Sequence, residues 1–223
     1  MKRGNTMDSD YRRERLRRKR RKRRIRRIKQ IFRITLVVAV FLLLILLAVK
    51  GFNEFRKRSN LEKAENMDVP DWIDVDLIDS WNPSRSGEKL DAVNDIVVHY
   101  VGNPGTTAKQ NRDYYNHLDS NVSSHFVIGL EGEIIMCLPL NEKSAASNDR
   151  NHDTISIEVC HPDEDGKFTD ASYQSLIKLV DWLMDEFHLD KDNVIRHYDV
   201  TGKECPRYYV LNPEAWEQFK NDL

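Results

Sequence analysis

Hydrophobic residues are distributed along the chain as one long apolar block near its start and a series of short runs further on. The block occupies positions 34–49, sixteen residues without a charge that are rich in Leu, Val and Ile. About twenty apolar residues are needed to cross a bilayer, and the neighbouring Ile31, Phe32 and Phe52 extend the block to that length. The pattern therefore predicts a transmembrane helix over residues 34–50.

A cleaved signal peptide is the alternative interpretation of this apolar block. The basic segment in front of the block is far longer than the charged region of a signal peptide. The sequence Ala48-Val49-Lys50 also lacks the pattern of small residues at which such peptides are cut. We therefore expect an uncleaved anchor.

Beyond the block, short runs rich in β-branched and aromatic residues predict strands, because they are bounded by turn residues. Glu131-Gly132 is a tight turn between two of these runs and predicts a β-hairpin. The predicted strands are Asp95–Tyr100, Ser123–Leu130, Glu133–Leu138, Asp153–Val159 and Asn193–Arg196.

Apolar residues at helical spacing predict three helices in the same region. The clearest runs from Asp170 to His188 with Thr169 as its cap, and its apolar stripe is expected to pack on a sheet. The other two run from Thr106 or Thr107 to about Leu118, and from Pro213 through Trp216 and Phe219. Strands and helices in this order predict an α/β domain, with a central mixed β-sheet flanked by helices.

The predicted organisation of the chain has four parts. Residues 1–33 form a basic segment, 34–50 the membrane helix, and 51–69 a polar stalk without an apolar period. Residues 70–223, about 150 in number, are enough for one substantial core and form the globular domain.

Charge is divided sharply between the two ends of the chain, although the net charge is only −1. Residues 1–33 contain seventeen basic and three acidic residues, a local charge of +14, and the remainder carries −15. A basic cluster beside a membrane span keeps its end of the chain in the cytoplasm. We therefore expect a single-pass protein of a bacterial cell membrane, with a cytoplasmic N-terminus and the globular domain outside. A nucleic-acid or nuclear-targeting patch is the alternative, but we expect no nucleic-acid partner.

One stretch, Arg196 to Pro206, carries the residue types of a metal site. It offers the imidazole of His197 and the thiol of Cys205, with Lys203 two positions before the cysteine. A catalytic zinc ion takes three protein ligands and keeps one open position, and His99 at the end of a predicted strand is the best third donor. The alternative is a loop histidine, a buried thiol and an exposed lysine.

Four motifs in this order resemble the zinc-dependent N-acetylmuramoyl-L-alanine amidases, the family that includes phage lysozyme-type amidases and peptidoglycan recognition proteins. The motifs are Ile96-Val97-Val98-His99-Tyr100, Ser123-Ser124-His125-Phe126-Val127-Ile128-Gly129, Ser156-Ile157-Glu158 and the stretch from Arg196 to Pro206. The resemblance covers roughly residues 90 to 210. It implies a mixed sheet flanked by helices, and hydrolysis of the amide that joins N-acetylmuramic acid to L-alanine in peptidoglycan.

The resemblance also implies roles for individual residues. His99, His197 and Cys205 match the three zinc ligands of the family, Glu158 matches the general base and later acid, and Lys203 matches the stabiliser of the oxyanion. Some relatives carry a catalytic tyrosine where this chain has Ser124, so a route through tyrosine is in doubt here.

Residues that contact the substrate are predicted from their place in loops near these motifs. Asn103, Asn111 and Arg207 are expected to rim the cleft, and His125 is expected to be structural or to contact substrate rather than to bind metal. Cys137 and Cys160 could form a disulfide or remain buried thiols.

The expected function is therefore that of a membrane-anchored zinc amidase acting on peptidoglycan. A membrane-anchored receptor that binds muropeptides without cutting them is the alternative. Non-catalytic relatives typically lack the cysteine ligand, so the presence of Cys205 favours the enzyme.

Overall fold

The computed structural model describes residues 4–223, and side chains from Tyr11 onward. It divides into two compact units, Met1–Glu54 and Phe55–Leu223. From Gly4 onward the first unit is part of helix α1 (Gly4–Glu65), which has 62 residues. By length and composition α1 could cross a membrane, and its apolar side chains between positions 31 and 55 are exposed. The predicted membrane segment is therefore helical throughout.

The second unit is built on a six-stranded sheet with the order β1-β4-β3-β5-β2-β6. Every neighbouring pair is parallel except β3 and β4, which form the predicted antiparallel hairpin. The prediction of a central mixed sheet is confirmed. The strands are β1 (Asp74–Val75), β2 (Asp95–Tyr100), β3 (Phe126–Ile128), β4 (Ile134–Met136), β5 (Thr154–Val159) and β6 (Val194–Arg196).

Five further helices accompany the sheet, and the three that were predicted are present. Thr107 caps α2 by accepting a hydrogen bond from the backbone of Gln110, and Thr169 caps α3 in the same way through Ser172. Helices α4 and α5 were not predicted, because five residues are too few to show a helical period. The helices are α2 (Ala108–Tyr115), α3 (Asp170–Phe187), α4 (His197–Thr201), α5 (Arg207–Leu211) and α6 (Pro213–Asp222).

The last turns of α1, from Phe55 onward, belong to the second unit and pack within it rather than forming a free stalk. Ala64 is buried there, and the amide of Asn60 donates a 2.8 Å hydrogen bond to the backbone carbonyl of Phe187 at the end of α3. Asn60 and Ala64 lie one turn apart, so they share the helix face that meets the domain. The prediction of a polar linker over residues 51–69 is corrected accordingly, since residues from Phe55 onward belong to the folded unit.

Two apolar layers cover the two faces of the sheet. Helices α3 and α6 pack on one face against residues such as Ile96 and Val98, and α2 packs on the other face against residues such as Val127. All three cysteines are buried free thiols, and Cys137 and Cys160 lie in the layer beneath α2. Because side chains alternate along a strand, the burial of Val98 beneath α3 turns its neighbour His99 toward the face of α2.

Candidate active site

Two predicted site residues come from neighbouring positions on the parallel strands β2 and β5. His99 is paired in register with Glu158 near the carboxyl ends of these strands. Their side chains therefore project from the same face of the sheet, and Nδ1 of His99 lies 3.9 Å from Oε1 of Glu158. The side chain of His99 is 1% exposed and that of Glu158 18%, so of the two only the Glu158 side chain is partly accessible to solvent.

The stretch after β6 brings the other residues to this edge of the sheet. His197 is the first residue of α4, a helix of five residues. Gly202 ends it in the left-handed conformation, at φ +77°, which reverses the chain toward the site. The backbone of Tyr198 then donates a 2.9 Å hydrogen bond to the carbonyl of Cys205, which fixes the returning segment beside the helix.

The three predicted zinc ligands lie together in the structure. One ligand atom each from His99, His197 and Cys205 lies within 4.8 Å of the other two, and all three residues are buried. Sγ of Cys205 is 3.8 Å from Nδ1 of His99, and the two imidazole rings have centroids 4.7 Å apart. Residues far apart in the sequence therefore form one cluster of donors.

The electrostatics of the cluster suit a cation. Burial, with the nearby His197 and Lys203, holds the pKa of His99 well below its usual value, and burial with Lys203 also lowers the pKa of His197. Neutral imidazoles keep the lone pair that a metal needs. Burial, reinforced by Glu158, raises the pKa of the Cys205 thiol to about 12, so an added positive charge would favour its thiolate.

One buried nitrogen without a hydrogen-bond partner indicates that these residues fit a metal. Nδ1 of His197 is buried and has no hydrogen-bond partner among the residues that the structure describes. A buried polar atom without a partner is costly, and a cation beside it would remove the cost. Two imidazole nitrogens and a thiolate are donors that zinc prefers. The donor set therefore fits zinc.

Glu158 and Lys203 line the same cavity as the three donors. Burial raises the pKa of Glu158 to about 8, while Lys203 acts in the opposite direction. Oε2 of Glu158 is buried without a hydrogen-bond partner in the described part of the chain. A carboxyl group whose pKa lies near neutrality can both accept and donate a proton under the same conditions.

The cavity has a volume of about 920 Å³ and is partly open to solvent. Asn103 and Asn111 line it, as predicted from their loop positions, together with Tyr114 from α2. The amide of Asn111 already donates to Oγ1 of Thr106, at 2.9 Å. Asn103 is therefore the freer of the two predicted asparagines to meet a ligand.

Two candidate contact residues do not line the cavity. For His125 the structure agrees with the structural alternative, and for Arg207 the expected place on the rim of the cleft is corrected. His125 is fully buried: its Nε2 donates to the carbonyl of Glu142 at 2.9 Å, and its Nδ1 accepts from the backbone of Ser156 at 3.0 Å. Arg207 is exposed outside the cavity lining and forms an ion pair with Glu204 at 3.1 Å. Position near a motif did not indicate the direction of either side chain.

Sequence reasoning missed two residues that contact the donor histidines. Oγ of Ser147 lies 3.1 Å from Nε2 of His99, and Oδ1 of Asn148 lies 2.8 Å from Nε2 of His197. The polar run before β5 is typical of a turn, and that signal carries no information about which distant side chains the turn contacts.

Comparisons with known proteins agree with this geometry. The sequence pattern of the N-acetylmuramoyl-L-alanine amidase family matches residues 89–208. The chain is 31% identical over 159 residues to N-acetylmuramoyl-L-alanine amidase BlyA of Bacillus subtilis strain 168, over 62% of this chain and 43% of BlyA. It is 35% identical over 133 residues to amidase XlyA of the same organism, over 56% of this chain and 42% of XlyA.

A solved structure supports the same relationship. The catalytic domain of XlyA aligns with a TM-score of 0.60 and 31% identity, covering 67% of this chain and 97% of that domain. The chain spans less than half the length of the curated relatives BlyA and XlyA. Since the family pattern covers more than half of the chain and the fold agrees, this protein belongs to the N-acetylmuramoyl-L-alanine amidase family.

Proposed function

We propose that this chain is a zinc-dependent amidase that hydrolyses the bond between N-acetylmuramic acid and L-alanine in peptidoglycan. One observation supports this most directly: two imidazoles and a thiol converge within 4.8 Å, in a cavity that also holds the carboxylate of Glu158. A receptor that only bound muropeptides would not need this combination of a metal donor set and an unpaired proton acceptor.

His99, His197 and Cys205 would hold the metal. When bound there, zinc would act as a Lewis acid that polarises the scissile carbonyl and makes water more acidic. The buried, neutral state of both imidazoles prepares them as ligands, since no proton has to leave them before binding.

Glu158 and Lys203 supply the remaining chemistry. We assign to Glu158 the proton of the attacking water, whose oxygen forms a bond to the carbonyl carbon. As the carbon–nitrogen bond breaks, Glu158 returns the proton to the departing amino group of L-alanine, so the step is balanced without another reactant. Lys203 lines the same cavity, where its ammonium can stabilise the negative charge that develops on the carbonyl oxygen.

The cavity is suited to a sugar joined to the first residues of a peptide. Its volume of about 920 Å³ lies in the range of sites that enclose small organic ligands. Asn103 offers a polar amide, and Tyr114 offers an aromatic ring that is 54% exposed, on the lining of the same cavity. An amide and an aromatic face together are suitable for the hydroxyl groups and the apolar ring face of a sugar.

We further propose that α1 anchors the enzyme in a bacterial cell membrane. Its apolar stretch is long enough to span, and the charge of +14 in residues 1–33 favours a cytoplasmic N-terminus. The amidase domain would then lie outside, where peptidoglycan is found.

The test uses the purified full chain in mild detergent, incubated with peptidoglycan in three conditions: with zinc, with excess chelator, and with zinc restored after chelation. Mass spectrometry of the soluble products should reveal intact stem peptides with a free L-alanine amino terminus only when zinc is present. Binding of peptidoglycan without any cleavage in the presence of zinc would support the receptor instead.

A further inference from the structure

We propose that Ser147 and Asn148 are positioning residues that determine which ring nitrogen the two donor histidines present to the metal. The proposal rests on the zinc site of the proposed function. Nε2 of His99 meets Oγ of Ser147 at 3.1 Å, and Nε2 of His197 meets Oδ1 of Asn148 at 2.8 Å. Two consecutive residues of one turn therefore each contact the Nε2 atom of a different donor histidine.

The chemistry of a neutral imidazole explains what these contacts do. One ring nitrogen carries the hydrogen and donates, and the other keeps a lone pair. An oxygen that accepts from Nε2 holds the hydrogen there and leaves the lone pair on Nδ1. Nδ1 of His99 faces the sulfur of Cys205 at 3.8 Å, and Nδ1 of His197 is the buried nitrogen that lacks a partner among the described residues. Both lone pairs are thus directed to the donor cluster.

The turn itself is fixed, as a positioning element must be. The side chain of Asn151 accepts hydrogen bonds from the backbones of Ala146 and Ser147, at 3.1 and 2.6 Å. Asn148 adopts a left-handed conformation at φ +52°, which asparagine tolerates better than most residues with a side chain. That conformation aims its amide at His197.

The two contacts differ in how strictly they select the nitrogen. The amide oxygen of Asn148 can only accept, so it requires a hydrogen on Nε2 of His197. The hydroxyl of Ser147 can donate or accept, and His99 is also held by its place in β2. We therefore expect the loss of the Asn148 amide to weaken metal binding more than the loss of the Ser147 hydroxyl.

The experiment measures zinc affinity of the full chain in detergent, by competition with a chromogenic chelator at neutral pH. Asn148→Gly removes the amide but tolerates the left-handed backbone, and should weaken binding by roughly 10- to 100-fold. Asn148→Asp keeps an accepting oxygen and should bind within about threefold of wild type, or more tightly. Asn121, exposed and also at φ +52°, supplies the matched control: Asn121→Gly should leave the affinity unchanged.

A second readout separates positioning from a general loss of structure. The absorption bands of the cobalt-substituted protein report ligand geometry and should change in Asn148→Gly, while the metal-free variant should still unfold in one cooperative transition, as Asn121→Gly does. Equal zinc affinity in wild type and Asn148→Gly would overturn the proposal. If Asn148→Gly fails to fold, Ser147→Ala replaces it. That variant should weaken zinc binding by a smaller factor and shift the cobalt bands, and an unchanged affinity together with an unchanged spectrum would overturn the proposal. If wild type itself binds no zinc, the proposed function fails first.

Discussion

The burial of His125 predicts that the domain loses stability in mild acid. Burial lowers the pKa of this histidine to about 4, although Glu142 acts in the opposite direction. In the unfolded chain a histidine has a pKa of about 6.5. His125 therefore binds a proton less readily in the folded state than in the unfolded state. Its contribution to the free energy of unfolding is present above pH 6.5 and is lost as the pH falls from 6.5 toward 4.

The magnitude follows from this difference in pKa. Protonation of the unfolded chain alone should lower the free energy of unfolding by about 2 kcal/mol between pH 7 and pH 5, and by about 3 kcal/mol at pH 4. The structural reason is specific: a proton on Nδ1 of His125 would face the backbone N–H of Ser156, which that nitrogen now accepts at 3.0 Å. Both ring nitrogens would then be donors, with one of them directed at another donor.

Urea unfolding of the full chain in non-ionic detergent, with chelator present, measures this effect. All four tryptophans lie beyond residue 70, so their fluorescence reports the domain. The variant His125→Gln retains one donor and one acceptor but does not titrate. Wild type should lose about 2 kcal/mol more than this variant between pH 7 and pH 5.

The comparison of wild type with His125→Gln also shows whether His125 is responsible for the loss of stability. Parallel loss of stability in wild type and His125→Gln would mean that His125 does not resist protonation. If the variant does not fold, an NMR titration of wild type replaces it, and a pKa for His125 near 6.5 would contradict the buried, doubly bonded ring.

Three further predictions concern packing, backbone conformation and catalysis. Asn60→Ala should lower the free energy of unfolding by about 1–3 kcal/mol, because the carbonyl of Phe187 loses its donor. Asn66, which is exposed just after the end of α1, supplies the control: Asn66→Ala should change the free energy of unfolding by less than about 0.5 kcal/mol in the same urea assay. Gly132→Ala should lower the free energy of unfolding by about 2 kcal/mol, because φ is +85° and an added Cβ would lie 2.9 Å from a backbone oxygen of α3. Thermal or urea unfolding measures this change, and a decrease below about 0.5 kcal/mol would contradict the prediction. Glu158→Gln should lower kcat at least about 100-fold at unchanged zinc content, measured by product release and metal analysis, and near-normal turnover would remove Glu158 from the mechanism.

Long regular elements could be predicted from the sequence because one face of each is buried. The stripe of α3 and the apolar runs of β2 and β5 reflect burial directly, so their positions are close to those observed. Helices α4 and α5 could not be predicted, since five residues complete little more than one turn and their shape depends on packing against neighbours.

The candidate site was predictable to the extent that metal donors have a recognisable spacing and setting. His99, His197 and Cys205 were found in this way, and they lie together. The directions of side chains from irregular segments were not predictable, because they depend on tertiary contacts. The side chain of His125, for example, points into the core, which its position near a motif did not indicate. The proposed role of Asn148 follows only from the contact between its amide and His197 in the folded structure.

The bond that the enzyme cuts can be identified directly by isotope labelling. The full chain with zinc would act on a defined muramoyl peptide in heavy-oxygen water, and the fragments would be identified by mass spectrometry. We expect one heavy oxygen in the lactyl carboxylate of the sugar fragment and an unlabelled stem peptide that begins with a free L-alanine amine. Heavy oxygen at a peptide carboxylate or at a sugar carbon, or an intact substrate in the presence of bound zinc, would contradict it.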